Sequence, residues 1–435
     1  MGVDDVVSVS ISVADSAPSV AGFGVPLILA YHDNFVGEVR QYNANPAGLT
    51  SLLSDGFTSD HDAYRKAAAI CAQTPHCSTF KVGVRAAANQ QSVDITPAWA
   101  TEGRTLGFDV DVGGTVTTIA VTPQAGDLIA DVCDDLVTEL GGVSGLTPTD
   151  NTTHVTVEPD DDEVRIYLRN VLGCELDDTS ADAGIATDLA ANLAVDDDWY
   201  GLLIDSNSAA EILAAAAWAL TNERLFGSLS IDSDILTSDG GVAADLLALT
   251  NHNTYVLSTR DGKGQCEAGL MGRQLSRAPG SSTWALKTVS GAVADAYTAT
   301  ELGYARAAKA ITYQNTKGIS HTFDGFATSG RFLDITRGIA WTKARMQEAV
   351  IAALTNNEKL GFTNAGASVL ESAVSGVLAS GEKAKLYAPG WSVTRPDVSA
   401  VSAANKTARL FPDIRFSAVL QGAIHSVEID GTVTP

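Results

Sequence analysis

Residues 7–13 alternate the β-branched side chains Val7, Val9, Ile11 and Val13 with serine, the period of a half-buried strand, before Ala17-Pro18-Ser19 ends the run. A terminal strand followed by a proline-containing linker is either an edge strand of its own domain or an arm that completes a neighbour's sheet. Gly22-Phe23-Gly24 then turns into the continuous apolar run 25–31, a strand buried on both faces. A helix capped by Ser59 or Asp60 is expected over 60–73, and a strand over 80–84. From 88 to 195 the pattern changes to short alternating stretches (105–112, 115–121, 155–158, 164–168) between Gly-Gly, Asp-rich and Thr-rich turns, with one helix at 125–140.

The run 199–205 restores the buried-strand pattern, and a serine-capped helix at 208–225 with a strand at 228–231 makes a strand-helix-strand unit. Further helices are expected at 264–275, 300–311, 336–355 and 365–379. The last sixty residues are read as strands, ending on the alternating segment 424–430, which carries Ile424, Val427 and Ile429. The expected architecture is an α/β (α+β) main domain built from the N- and C-terminal parts of the chain, with a β-rich α+β inserted domain and strand arms at both termini. The boundaries are 1–20 for the arm and linker, 21–87 and 196–415 for the main domain, 88–195 for the insertion and 416–435 for the C-terminal arm.

Charge changes this picture by dividing the chain. Residues 1–257 hold 38 acidic and 9 basic side chains, whereas 258–435 hold 14 acidic and 19 basic, within a total of −24. Complementary potentials of this kind steer assembly, though a solvated acidic domain beside a neutral one has the same signature. The balance argues against direct nucleic-acid binding, which needs clustered Lys and Arg. No stretch reaches the ~20 apolar residues of a membrane span, and no basic and apolar leader opens the chain, so a soluble protein without membrane insertion or a cleaved signal is expected. The five scattered cysteines read as buried thiols, not a disulfide framework.

Candidate chemistry is sparse. Gly22-Phe23-Gly24 lacks the third glycine of a dinucleotide loop and leads into a strand; Asp261-Gly262-Lys263-Gly264 lacks phosphate-loop spacing. Asp109 to Gly114 lacks the closing glutamate of a calcium loop. Cys71, His76 and Cys77 have no second ligand pair for zinc, and His321 with Asp324 reads as a polar turn. No catalytic, cofactor-binding or metal residue, and no cofactor, is assigned.

Three stretches resemble the tail sheath proteins of contractile phages, relatives of pyocin and other contractile injection-system sheaths. They are Ala21-Gly22-Phe23-Gly24-Val25-Pro26-Leu27-Ile28-Leu29, then Ser329-Gly330-Arg331-Phe332-Leu333-Asp334-Ile335-Thr336-Arg337-Gly338 leading to Trp341 and Gln347, and Phe416-Ser417-Ala418-Val419-Leu420-Gln421-Gly422-Ala423-Ile424-His425-Ser426-Val427, similar to a terminal hairpin. The resemblance spans about 1–85 and 196–435.

The resemblance implies a structural subunit that forms hexameric rings stacked helically around a tail tube protein, with baseplate and tail terminator proteins as further partners, in a virion assembled in the host cytoplasm. It also implies arms exchanged between subunits, which would use Val7, Val9, Ile11 and Val13 at one end and Ile424, Val427 and Ile429 at the other. Lys343 and Arg345, on the long helix, become tube-facing candidates, with a solvated helix face as the alternative. Two rivals stay open: an α/β enzyme with a β-rich insertion and an unrecognised site, and a tube or baseplate component.

Overall fold

The computed structural model describes residues 22–430 apart from 33, 36, 86–90, 113–114, 161–165, 180–183, 261–263 and 429. The expected strand with Val7, Val9, Ile11 and Val13 therefore lies outside the described residues, as does Ile429. The described chain divides into two compact units: a sheet unit (Gly22–Ala340, Ala384–Leu386 and the residues from Leu420) and a helical unit (Trp341–Lys383 and Tyr387–Val419).

The sheet unit opens with β1 (Pro26–Tyr31), β2 (Arg40–Asn43), α1 (Pro46–Ser54), α2 (Asp62–Cys71) and β3 (Thr79–Arg85). The insertion follows as β4 (Val93–Pro97), β5 (Leu106–Val112), β6 (Thr115–Val121), α3 (Ile129–Leu140), β7 (Leu146–Asp150), β8 (Val155–Pro159), β9 (Ile166–Leu172) and β10 (Cys174–Asp178). The chain returns through α4 (Ile185–Val195), β11 (Gly201–Ile204), α5 (Ala209–Thr221), β12 (Leu225–Ser230), α6 (Gly241–Ala248), β13 (Thr254–Ser258), α7 (Cys266–Leu275), α8 (Ala299–Ala307), β14 (Ile311–Thr316) and β15 (Ile319–Phe323).

An eight-stranded sheet in the order β15-β14-β13-β12-β11-β1-β3-β2 carries this unit. Its inner strands run parallel, and β2 and β15 pair antiparallel at the edges. The apolar run of β1 is buried on both faces: Leu27 and Leu29 join the core with Leu189 of α4 and Ile212 of α5, while Ile28 and Ala30 join the core with Ile70 of α2 and Leu270 of α7. Helices on both faces are what a parallel sheet needs, so the α/β class holds.

The insertion has its own core, in which Ile95, Phe108, Val110, Val155 and Val157 from two small sheets close on Val132, Leu136 and Leu140 of α3. Its extent corrects the expected 88–195. Helix α4 belongs to the main domain: Ile185 and Leu189 sit in the main core, and the Asn192 amide accepts from the Val84 N–H at 3.1 Å and donates to the Val84 carbonyl at 2.7 Å. The acidic punctuation at Asp196-Asp197-Asp198 drew the boundary too late.

The helical unit holds α9 (Leu333–Thr355) from Trp341 onward, α10 (Asn364–Lys383), β16 (Ser392–Thr394), α11 (Ala403–Thr407) and β17 (Arg415–Ser417). Gly381 of α10 lets Tyr387 and Trp341 close in, since a Cβ there would stand 2.6 Å from the Tyr387 ring. The expectation that the last sixty residues are strands fails. Only the short pair β16–β17 forms there among the described residues, and 400–410 is turn and helix. The helix expected over 300–311 stops earlier, because Lys309 takes a positive φ of 62° before β14 begins.

Candidate functional site

Strand order reverses between β1 and β11: from β1 the chain steps to β3 on one side, then to β11, β12 and β13 on the other. The C-terminal edge of such a switch point is where open α/β sheets hold ligands, so an enzyme reading places its site there. Tyr31 ends β1, Arg85 ends β3 and Asp205 follows β11. Their side chains satisfy one another. Arg85, 1% exposed, donates to Asp205 Oδ1 at 2.8 Å and to both Glu211 oxygens, and lies over the Tyr31 ring at 3.9 Å. The Tyr31 N–H donates to Asp205 Oδ2 at 2.7 Å. Burial pushes the Glu211 carboxyl up, and Arg85 opposes that shift.

The insertion covers the same edge. Tyr167 of β9 donates its hydroxyl to the Tyr31 carbonyl at 3.2 Å, and Gln91 exchanges two bonds with the Ile166 backbone at 2.8 and 2.9 Å. His61 accepts from the Ala63 N–H at Nδ1, which leaves Nε2 to donate to the Tyr31 carbonyl at 3.0 Å. The remaining cavity is about 70 Å³, against the roughly 300–1,000 Å³ of small-molecule sites. The crevice is a junction filled by ion pairs. Among the described residues, no group of three or more His, Cys, Asp or Glu side chains is placed to hold a metal ion.

Two of the stretches that carry the resemblance meet. Arg337, 3% exposed, donates to the carbonyls of Gln274 at 2.6 Å, Leu275 at 3.0 Å and Phe23 at 3.1 Å, and burial pushes its guanidinium down to about 10. A buried arginine spent on backbone carbonyls ties the Gly22-Phe23-Gly24 turn and the end of α7 to the start of α9; its role is architectural.

The C-terminal segment departs from expectation. Residues 421–428 form no strand, and β17 pairs with β16, not with 424–430. The segment is held at His425, whose Nε2 lies 2.7 Å from Thr283 Oγ1 and whose ring meets Phe332 edge-on at 4.9 Å. Ile424 and Val427 point outward, 81% and 73% exposed. A strand needs a partner ladder, and among the described residues none pairs with these.

Lys343 is exposed on α9, whereas Arg345 is half-buried and paired with Glu348 at 2.6 Å one turn along. No helix among the described residues is long and apolar enough to cross a membrane.

No protein-family model matches the sequence, and no curated protein matches it. Solved structures do match over nearly the whole chain. The contracted helical sheath of the anti-feeding prophage aligns with 98% of this chain and 98% of its own, with a TM-score of 0.53 at 9% identity. The contracted sheath complex of PVC, an extracellular contractile injection system, aligns with 98% of this chain and 96% of its own, with a TM-score of 0.52 at 9% identity. The chain has the contractile-sheath fold. A protein of the anti-feeding prophage baseplate, at TM-score 0.50 and 10% identity over 99% of this chain, shares it.

The sequence missed the Arg85-Asp205-Glu211 network. Its signal was present: an arginine ending one buried strand and an aspartate following another, at the edge where parallel strands present polar groups.

Proposed function

We propose that the chain is the structural subunit of a contractile tail sheath, which polymerises as stacked hexameric rings around a tail tube and shortens to drive the tube through a host envelope for genome delivery. The observation that carries this reading is the fold likeness to two contracted sheaths over 98% of the chain. The reading makes the chain a non-enzyme assembled in the host cytoplasm into a virion, with itself, the tube, the baseplate and the terminator as partners. A filled crevice where an α/β enzyme needs a pocket supports it over the enzyme alternative.

Strand exchange is the linkage this reading favours. A two-stranded ladder such as β16–β17, with three residues a side and Phe416 47% exposed, is marginal alone and gains from added strands. Val7, Val9, Ile11 and Val13 supply one such strand and Ile424, Val427 and Ile429 another, each apolar side chain contributing ~1.5–3 kcal/mol on full burial. Main-chain ladders of this kind persist while rigid units rotate between extended and contracted packings. Lys343 and Arg345 stay the tube-facing candidates of this reading, with Lys343 exposed and Arg345 paired with Glu348.

Sedimentation velocity on the full chain and on a chain lacking residues 1–16 tests the reading. Large species formed by the full chain and lost on truncation are expected. A full chain that stays monomeric across protein and salt concentrations overturns it.

A further inference from the structure

Helices α2 and α7 pack together on one face of the main sheet, and three polar side chains are buried between them. The amine of Lys66 on α2, a residue 5% exposed, donates to Gln265 Oε1 at 2.6 Å and to Glu267 Oε1 at 2.5 Å. Gln265 and Glu267 are 7% and 1% exposed. Two features go beyond an ordinary ion pair. Gln265 holds a left-handed backbone, φ 44°, at the entry to α7, a conformation that a long side chain keeps where its surroundings fix it. Glu267 Oε2 is buried and accepts no hydrogen bond among the described residues, so half of the carboxylate is unsatisfied.

An amine, a carboxamide and a carboxylate closed off from water are the two reactants and the proton carrier of an amide exchange. We propose that Lys66 and Gln265 join through an isopeptide bond, with Glu267 moving the protons. Glu267 first takes a proton from the Nζ ammonium, a transfer favoured by burial because a neutral pair escapes the desolvation penalty of two ions. The Nζ lone pair attacks Cδ of Gln265, and the C–O π electrons move to Oε1. Glu267 gives its proton to Nε2 and takes another from the attacking nitrogen. The Cδ–Nε2 bond then breaks, its electrons leave with ammonia, and Oε1 regains its double bond. Ammonia carries the last proton away from Glu267 as ammonium, so no oxidant or outside reactant enters.

The surroundings suit each step. Gln265 lines a cavity of about 30 Å³, wide enough for about two waters and so for the ammonia released. Arg169, 4% exposed, lines the same cavity and keeps Nε and Nη1 without a hydrogen-bond partner, donors that oppose the charge developing on Oε1. Exchange of one amide for another is close to balanced in energy, and loss of ammonia to solvent draws it forward. Joining Lys66 to Glu267 would instead expel water from an ionised carboxylate, so the carboxamide is the acceptor. The bond closes a loop of 199 positions, from α2 through the insertion to α7. It acts as a disulfide does, by removing freedom from the unfolded chain, yet it survives reduction. It needs the folded monomer alone, whether or not copies assemble into a sheath.

Mass spectrometry of the full-length chain tests this. The intact, reduced protein should weigh less than the sum of its residues by one ammonia. Its tryptic digest should hold a branched peptide joining residues 66–81 to residues 264–273, in place of the linear peptides that cleavage after Lys66 would give. Glu267→Gln, which keeps the shape and removes the proton carrier, and Lys66→Met, which removes the nucleophile, should each show the full mass. The wild-type digest decides the cross-link even where a variant fails to fold. A wild-type chain of full mass that is cleaved after Lys66, a branched peptide formed at Glu267 by loss of water, or a Glu267→Gln chain that still cross-links overturns the assignment.

Discussion

Arg85→Met tests whether the switch-point crevice is a structural junction. Arg85 is 1% exposed, and its partners Asp205 and Glu211 expose 6% and 13% of their side chains. Methionine fills much of the same volume but leaves two carboxylates facing each other without a cation. Breaking a buried pair from one side costs about 3–5 kcal/mol, and the low exposure of all three groups leaves little solvent screening to reduce it. The loss should depend on pH. Without Arg85, nothing opposes the burial that pushes the Glu211 carboxyl up, so it binds a proton in the folded state at a pH where the unfolded chain has released it. The penalty is then largest near about pH 8 and shrinks as pH falls toward about pH 5. Urea unfolding followed through Trp199, buried in the same unit, measures it. Combining Arg85→Met with Asp205→Asn and Glu211→Gln should recover at least half the loss, since no charge is left buried. A single variant within ~1 kcal/mol of wild type, a penalty that ignores pH, or a triple variant worse than the single one refutes the reasoning.

His61 gives a second pH signature. Burial holds its imidazole below the ordinary value of 6.5, and Nδ1 must stay unprotonated to accept the Ala63 N–H. The folded state therefore binds fewer protons than the unfolded chain below about pH 6.5, so stability is lost as pH falls through that range. His61→Asn, which keeps a side-chain acceptor at the helix cap, should flatten that part of the curve in thermal melts. Gly381→Leu should force Tyr387 off α10 and break its hydroxyl contact with Thr342. The overpacking costs ~1–3 kcal/mol, read as a lower urea midpoint, whereas Gly376→Leu on the same helix, where an added Cβ meets no atom within 4 Å, should change little.

The sequence made the main sheet legible where burial writes a pattern. The apolar run of β1, the strand resuming near Trp199 and the helices over α2, α5 and α7 all follow from apolar periodicity that the fold uses. Helix α1 had a readable start, since Asn45 caps the Gly48 N–H and Pro46 takes the first turn, but its apolar face is a few leucines long. Strands β14 and β15 were lost because polar residues such as Gln314, Asn315 and His321 dominate an edge hairpin, where one side faces water. The end of the insertion was misplaced because α4 carries its membership in Leu189 and Asn192, whose partners lie a hundred residues earlier. Composition shifts are local, and domain membership here is not. The alternation of 424–430 was real in the sequence, yet alternation specifies only what a strand would bury. Whether a ladder forms depends on a partner, and alternation does not name one.

A sheath subunit has to polymerise with copies of itself around its tube. Cryo-electron microscopy of the full chain co-expressed with its tube partner tests it most directly. A sheath subunit gives a helical polymer with six subunits per layer and residues 424–430 paired as a strand. Density showing closed small oligomers, or a polymer in which 424–430 stays unpaired and removal of residues 1–16 changes nothing, would contradict it.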